Sequence, residues 1–150
     1  MTPINNFYNF IKFAKDNIEI EFESPRKEFG HSNPPQNFKI KEVDENKRRI
    51  IIEFKSGTLL PLEYWRFEEA LLFIDKNEFV PIGASINEKY QKDSLEGVLK
   101  EIAKKKYHKK TDTKTAPHIA DLLQLAGISE LGETKSSNNR IVQGIKLIEP

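Results

Sequence analysis

The chain has 150 residues, 37% of them hydrophobic and 31% charged, a formal net charge of +1 and no cysteine. That length suits one domain or two small ones, and the apolar content argues against wholesale disorder. The lack of cysteine excludes a disulfide framework and thiolate metal sites; no apolar run is long enough to cross a bilayer and no export signal opens the chain, so a cytoplasmic address and no membrane partner are expected.

Thr2 and Pro3 suit the cap and first position of a helix whose buried face would be Ile4, Phe7, Tyr8, Ile11 and Ala14, widened by Phe10 and Phe13. Ile18-Glu19-Ile20-Glu21-Phe22 alternates strictly, which predicts a half-buried strand. Three prolines and a glycine make 24–35 a polar loop. Alternation over 38–41, a turn at 44–47 and a returning strand over 50–55 predict a hairpin, closed by Ser56-Gly57.

From Leu62 to Ile74 the spacing of Leu62, Trp65 and Leu72 predicts a helix. Residues 79–82 read as a short strand that Pro81 places at a sheet edge. Ser94 caps a helix over 95–106, residues 107–115 form a basic connector, and Pro117 opens a helix that Gly127 ends. A polar loop over 132–139 leads to a final strand over 140–148. The chain stops directly after that strand without a polar tail, so it reads as a single domain over 1–150 cut from a longer protein, with a candidate subdivision near 88–94.

The sharpest catalytic candidate is Glu53-Phe54-Lys55 with Asp44 upstream. Metal-dependent nucleases set an acid on one strand and Glu-x-Lys on the next, so that carboxylates hold magnesium and the lysine orients water. The same residues also fit a solvated strand face with a cross-strand charge pair. His31, His108 and His118 have no partner at metal-ligand spacing, and no phosphate-binding glycine loop or nucleophile elbow is present. The expectation is therefore no catalytic set, no metal and no cofactor.

Binding features are clearer. Residues 100–114 hold seven lysines and one histidine against Glu101 and Asp112, and Lys104, Lys105, Lys106, Lys109, Lys110 and Lys114 suit phosphate contact. A helix C-terminus favours lysines through its dipole in any case. Two loops carry side chains suited to base edges: Arg26, Lys27, His31 and Asn33 in the first, Lys135, Asn138, Asn139 and Arg140 in the second. The last third, helix–helix–loop–strand, also looks like a winged helix. Its second helix would show His118, Asp121 and Gln124 outward, a thin and partly acidic reading face, which shifts contact to the 132–140 loop. Most aromatics fall at core spacing, so no single-strand stacking platform is expected.

The N-terminal helix, the 18–22 strand, the basic 24–35 loop, the 38–55 hairpin and the closing Arg140-Ile-Val-Gln-Gly-Ile-Lys-Leu together resemble the N-terminal DNA-binding domain of an McrB-like restriction protein of the LlaJI type. The resemblance implies a β-pseudobarrel like that of plant transcription factors, gripping the major groove with two arms, with Arg26, Lys27, His31 and Asn33 on one arm. It also implies a GTP-hydrolysing motor domain in the same full-length chain and a nuclease subunit as partners. The fold expectation is α+β: a strand-rich, pseudobarrel-like first half with helices, then a helical second half ending in a strand. The functional expectation is sequence-specific double-stranded DNA binding, against a nuclease using Asp44, Glu53 and Lys55, or a protein-interaction module.

Overall fold

A computed structural model describes residues 2–26, 35–83, 94–109, 114–135 and 139–148. Helix α1 (Pro3–Asp16) starts where its cap predicts: the Thr2 hydroxyl accepts from the Asn5 N–H at 3.2 Å, with Pro3 in the first turn. Its buried face is narrower than the expected stripe. Phe7, Phe10, Ile11 and Ala14 are buried, whereas Ile4 and Tyr8 face solvent. The face is set by α2 (Tyr64–Phe73), whose Tyr64 meets Phe7 edge-on at 5.5 Å and whose Phe67 stacks on Phe10 at 4.4 Å.

The 18–22 alternation yields less strand than expected. Only Glu21–Phe22 (β1) pairs with β2 (Phe38–Asp44), and Ile18 makes one isolated bridge to Ile40. Glu19 adopts a left-handed backbone (φ 70°), which interrupts the extended run and leaves Ile18 and Ile20 exposed. The hairpin of β2 and β3 (Arg49–Phe54) forms as its alternation predicts, with a bulge between Ile40 and Glu42 and with Ile40, Ile50 and Ile52 fully buried. Gly57, at φ 91°, turns the chain into β4 (Leu59–Glu63).

That strand corrects the expected helix start. Leu62 pairs with Ile50 across the sheet and α2 begins only at Tyr64, because the 59–62 run completes an antiparallel sheet and its proline sits on the outermost strand. Leu72 is exposed, and Leu71 takes the core position.

The first sheet runs β1-β2-β3-β4. The second is built from β5 (Val80–Pro81), β6 (Ser129–Lys135) and β7 (Ile141–Leu147) in the order β5-β7-β6, with the proline strand at an edge as expected. Between β5 and β6 lie α3 (Leu95–Tyr107), capped by the Ser94 hydroxyl, and α4 (Ala116–Leu125), followed by Gly127 at φ 76°. Strand β6 corrects the polar loop expected over 132–139. It stays extended to Lys135, with Gly132 opposite Gly144, and a Cβ on Gly132 would lie 2.6 Å from the Phe79 ring. Glycine here makes room for an aromatic ring, although in sequence it reads as a breaker.

The chain is an α+β protein with one core running from Phe7 and Phe10 in α1 through Ile52, Phe67 and Leu99 to Ile145 in β7. Among the described residues the order after the first sheet is α2-β5-α3-α4-β6-β7, with β7 central in the second sheet. The candidate subdivision near 88–94 lies outside the described residues except for Ser94. Among the described residues no helix is long and apolar enough to cross a membrane.

Candidate nucleic-acid interface

Lysines gather at the end of α3, where the helix dipole favours cations. Lys104, Lys105 and Lys106 occupy the last turn, and His108 ends the helix in a left-handed conformation (φ 55°) with its N–H on the Ala103 carbonyl. Three contacts clasp this end onto α2 and the last residue of β4. The Tyr107 ring stacks on Trp65 with centroids 4.5 Å apart and planes at 20°, Lys109 Nζ donates to Glu63 at 2.9 Å, and Lys106 Nζ reaches Glu69 at 3.3 Å.

Under the clasp, Arg66 is almost fully buried. It donates to Glu63 at 2.9 Å and to the Thr115 hydroxyl at 3.2 Å, and its guanidinium lies 4.5 Å from the Trp65 ring centre. Burial alone would raise the Glu63 pKa, but hydrogen bonds from Arg66 and Lys109 outweigh it and hold the carboxyl at about 2. Lys105 pairs with Glu101 one turn back at 2.9 Å. Lys104 and Lys114 are exposed, and Lys110 lies outside the described residues.

Lys105, Lys106 and Lys109 thus meet carboxylates, and the local field is weaker than the lysine count implies. The pairs of Lys105 and Lys106 are solvent-exposed on the lysine side, and surface pairs of this kind contribute only about 0–1 kcal/mol. A phosphate can replace such a carboxylate at little cost.

The remaining expected contacts divide. Arg26 is turned inward. Its Nε donates to both Asp121 oxygens at 3.0 and 3.1 Å, and the Ser24 hydroxyl donates to the same carboxylate at 2.7 Å. Asp121 is fully buried; burial pushes its carboxyl pKa up, and Arg26 and Ser24 partly offset the shift. Lys27, His31 and Asn33 lie outside the described residues. Lys135, Asn139 and Arg140 are exposed at the β6–β7 turn, Asn139 at φ 66°, a conformation asparagine tolerates, and Asn138 is outside the described residues.

Helix α4 cannot be a reading helix, because the first half of the chain covers it. His118 packs edge-on against Phe54 at 5.1 Å, Asp121 holds Arg26, and the Gln124 amide oxygen accepts from the Leu131 N–H at 2.7 Å. All three residues expected to point outward are committed inside the molecule.

The nuclease residues do not converge. Asp44 pairs with Arg49 at one end of the hairpin and accepts from the Lys47 N–H, while Glu53 pairs with Lys39 towards the other end. Four residues along β3 separate the two by about 13 Å. Lys39 bridges Glu53 (3.3 Å) and Glu19 (2.8 Å), and Lys55 lies beyond the strand, in the turn. These side chains line a shallow cavity of about 340 Å³ on the outer face of the first sheet, together with Glu21 and Gly57. Among the described residues no three histidine, aspartate or glutamate side chains are placed to hold a metal.

The Trp65–Tyr107 stack is the feature that sequence reasoning missed. Tyr107, an aromatic side chain among lysines, was its only local sign, because Trp65 reads as part of the apolar spacing of its helix and packs half-buried against the core.

No protein-family model matches the chain, and no curated protein or solved structure is significantly similar to it.

Proposed function

We propose that the chain binds double-stranded DNA, with the lysine-rich end of α3 holding phosphates and the β6–β7 turn as a second contact. The observation that carries the reading is the grouping of Lys104, Lys105, Lys106 and Lys109 on one helix end whose backbone is pinned to α2 by the Tyr107–Trp65 stack. Fixed cations lose less freedom on meeting phosphate than cations on a loose segment. Phosphate contacts position a protein without reading sequence. Sequence choice falls to base-edge donors, for which Lys135, Asn139 and Arg140 between β6 and β7 are suited.

In this reading the chain is the site-choosing module of a restriction protein, the role its resemblance to McrB-like N-terminal domains implies. A motor domain in the same full-length chain and a nuclease subunit would be its partners. The test is selection of bound duplexes from a random pool, followed by titration of a selected and a random duplex. A selected site bound at least about a thousandfold more tightly than random DNA supports the reading. Equal affinity for both would remove sequence specificity from it.

A further inference from the structure

The exposed ring at the end of α3 goes beyond phosphate contact. Resting on the nucleic-acid reading above, we propose that Tyr107, backed by Trp65, is a stacking platform for one unpaired nucleobase, so that this site takes single-stranded nucleic acid or a single-stranded end of a duplex. Tyr107 is 44% exposed although one neighbour, Trp65, already stacks on it at 4.5 Å. A ring held this way has little rotational freedom left to lose when a second aromatic plane covers it.

The charges around the ring identify the occupant. Lys109 is anchored at Glu63, the last residue of β4, and Lys106 at Glu69 in α2, so the two carboxylates bracket Trp65 in sequence. Both lysines lie within two residues of Tyr107 in sequence, so the cations beside the ring can meet the phosphates that flank a stacked base. An aromatic plane between two cations complements a base between two phosphates, and it does so for any base, because stacking uses a face that all bases share. A partner protein offering an apolar or acidic side chain would use the ring or the lysines, and would not require both.

Trp65 is the only tryptophan of the chain, so its fluorescence reports on the stack directly. The experiment titrates the full chain with three probes at low salt: a short oligothymidylate, an abasic deoxyribose-phosphate oligomer of the same length, and a blunt duplex. Affinities and Trp65 emission are recorded for wild type, Tyr107→Ala and Tyr107→Phe, with unfolding curves checking each fold.

The expected result is that oligothymidylate changes Trp65 emission and binds about tenfold more tightly than the abasic oligomer. Tyr107→Ala should weaken oligothymidylate binding by about fivefold to a hundredfold, well beyond any loss of duplex binding from a loosened helix end, and Tyr107→Phe should behave as wild type. Equal binding of oligothymidylate and the abasic oligomer overturns the proposal, as does an indifferent Tyr107→Ala or a Tyr107→Phe as weak as Tyr107→Ala. If the duplex binds while Tyr107 adds nothing to oligothymidylate, the platform alone fails. If no probe binds, the nucleic-acid reading fails with it.

Discussion

Arg26 and Asp121 stand 95 positions apart in sequence, yet the guanidinium Nε lies 3.0 and 3.1 Å from the two oxygens of a carboxylate that is fully buried. The pair joins the segment after β1 to α4, and so ties the strand-rich half to the helical half. It also explains why neither residue is available to DNA in this state: Arg26 would have to abandon a buried anion to reach a base edge.

Breaking that pair from one side should be costly. Asp121→Ala leaves a largely buried guanidinium uncompensated and is expected to destabilise the fold by about 3–5 kcal/mol. Arg26→Met with Asp121→Leu should recover part of the loss, since neither charge then remains. Urea unfolding of the three proteins measures this; a loss below about 1 kcal/mol for Asp121→Ala would mean the pair is not structural.

Gly132 is a packing site for Phe79. A Cβ there would sit 2.6 Å from the Phe79 Cε1 and Cζ atoms, and Lys146 Nζ already lies 4.8 Å from the ring centre on the same strand pair. Gly132→Ala is expected to cost about 1–3 kcal/mol through overpacking. Phe79→Leu should relieve much of that penalty, giving a thermal-unfolding double-mutant cycle that is clearly non-additive.

His118 predicts an acid-sensitive stability. Burial and the nearby Arg26 charge lower its pKa from 6.5 to about 4, so the folded chain keeps the imidazole neutral where the unfolded chain protonates it. Stability should therefore fall as pH drops from about 6.5 to about 4, by about 2–3 kcal/mol from this group. His118→Phe should remove that part of the slope. Unfolding free energies of both proteins across the window decide it, and parallel curves would contradict the assignment.

The exposed lysines should act uniformly on all DNA. Alanine at Lys104, Lys105 or Lys106 is expected to lower affinity for every duplex to a similar degree and to reduce the salt slope by about 1 each. Alanine at Lys135, Asn139 or Arg140 should instead change discrimination between a selected site and random DNA. Competition titrations at fixed salt separate the two behaviours.

Elements with local signals were legible in the sequence. Thr2, Ser94 and Gly127 marked helix ends correctly, the 38–55 hairpin followed its alternation, and Pro81 marked an edge strand. Errors arose where a tertiary partner decides. Leu62 sits at helical spacing from Trp65 but belongs to β4, because pairing with Ile50 outweighs the local pattern. Gly132 reads as a loop until Phe79 is placed over it. Asp121 reads as outward on α4 until Arg26 arrives from the other half of the chain. For the candidate site, the lysines were legible because dipole-favoured charge is local. The Trp65–Tyr107 stack was not, since it joins two helices 42 positions apart in sequence.

The central claim is that fixed lysines at the end of α3 hold DNA phosphates. The most direct test is the anisotropy of a labelled random duplex titrated with the chain across a salt series. Contact with about four phosphates predicts that log K falls against log salt with a slope of about −3.6, and that removing Lys104, Lys105 and Lys106 together brings it close to −1. A slope near zero, or no binding at the lowest salt, would contradict the account.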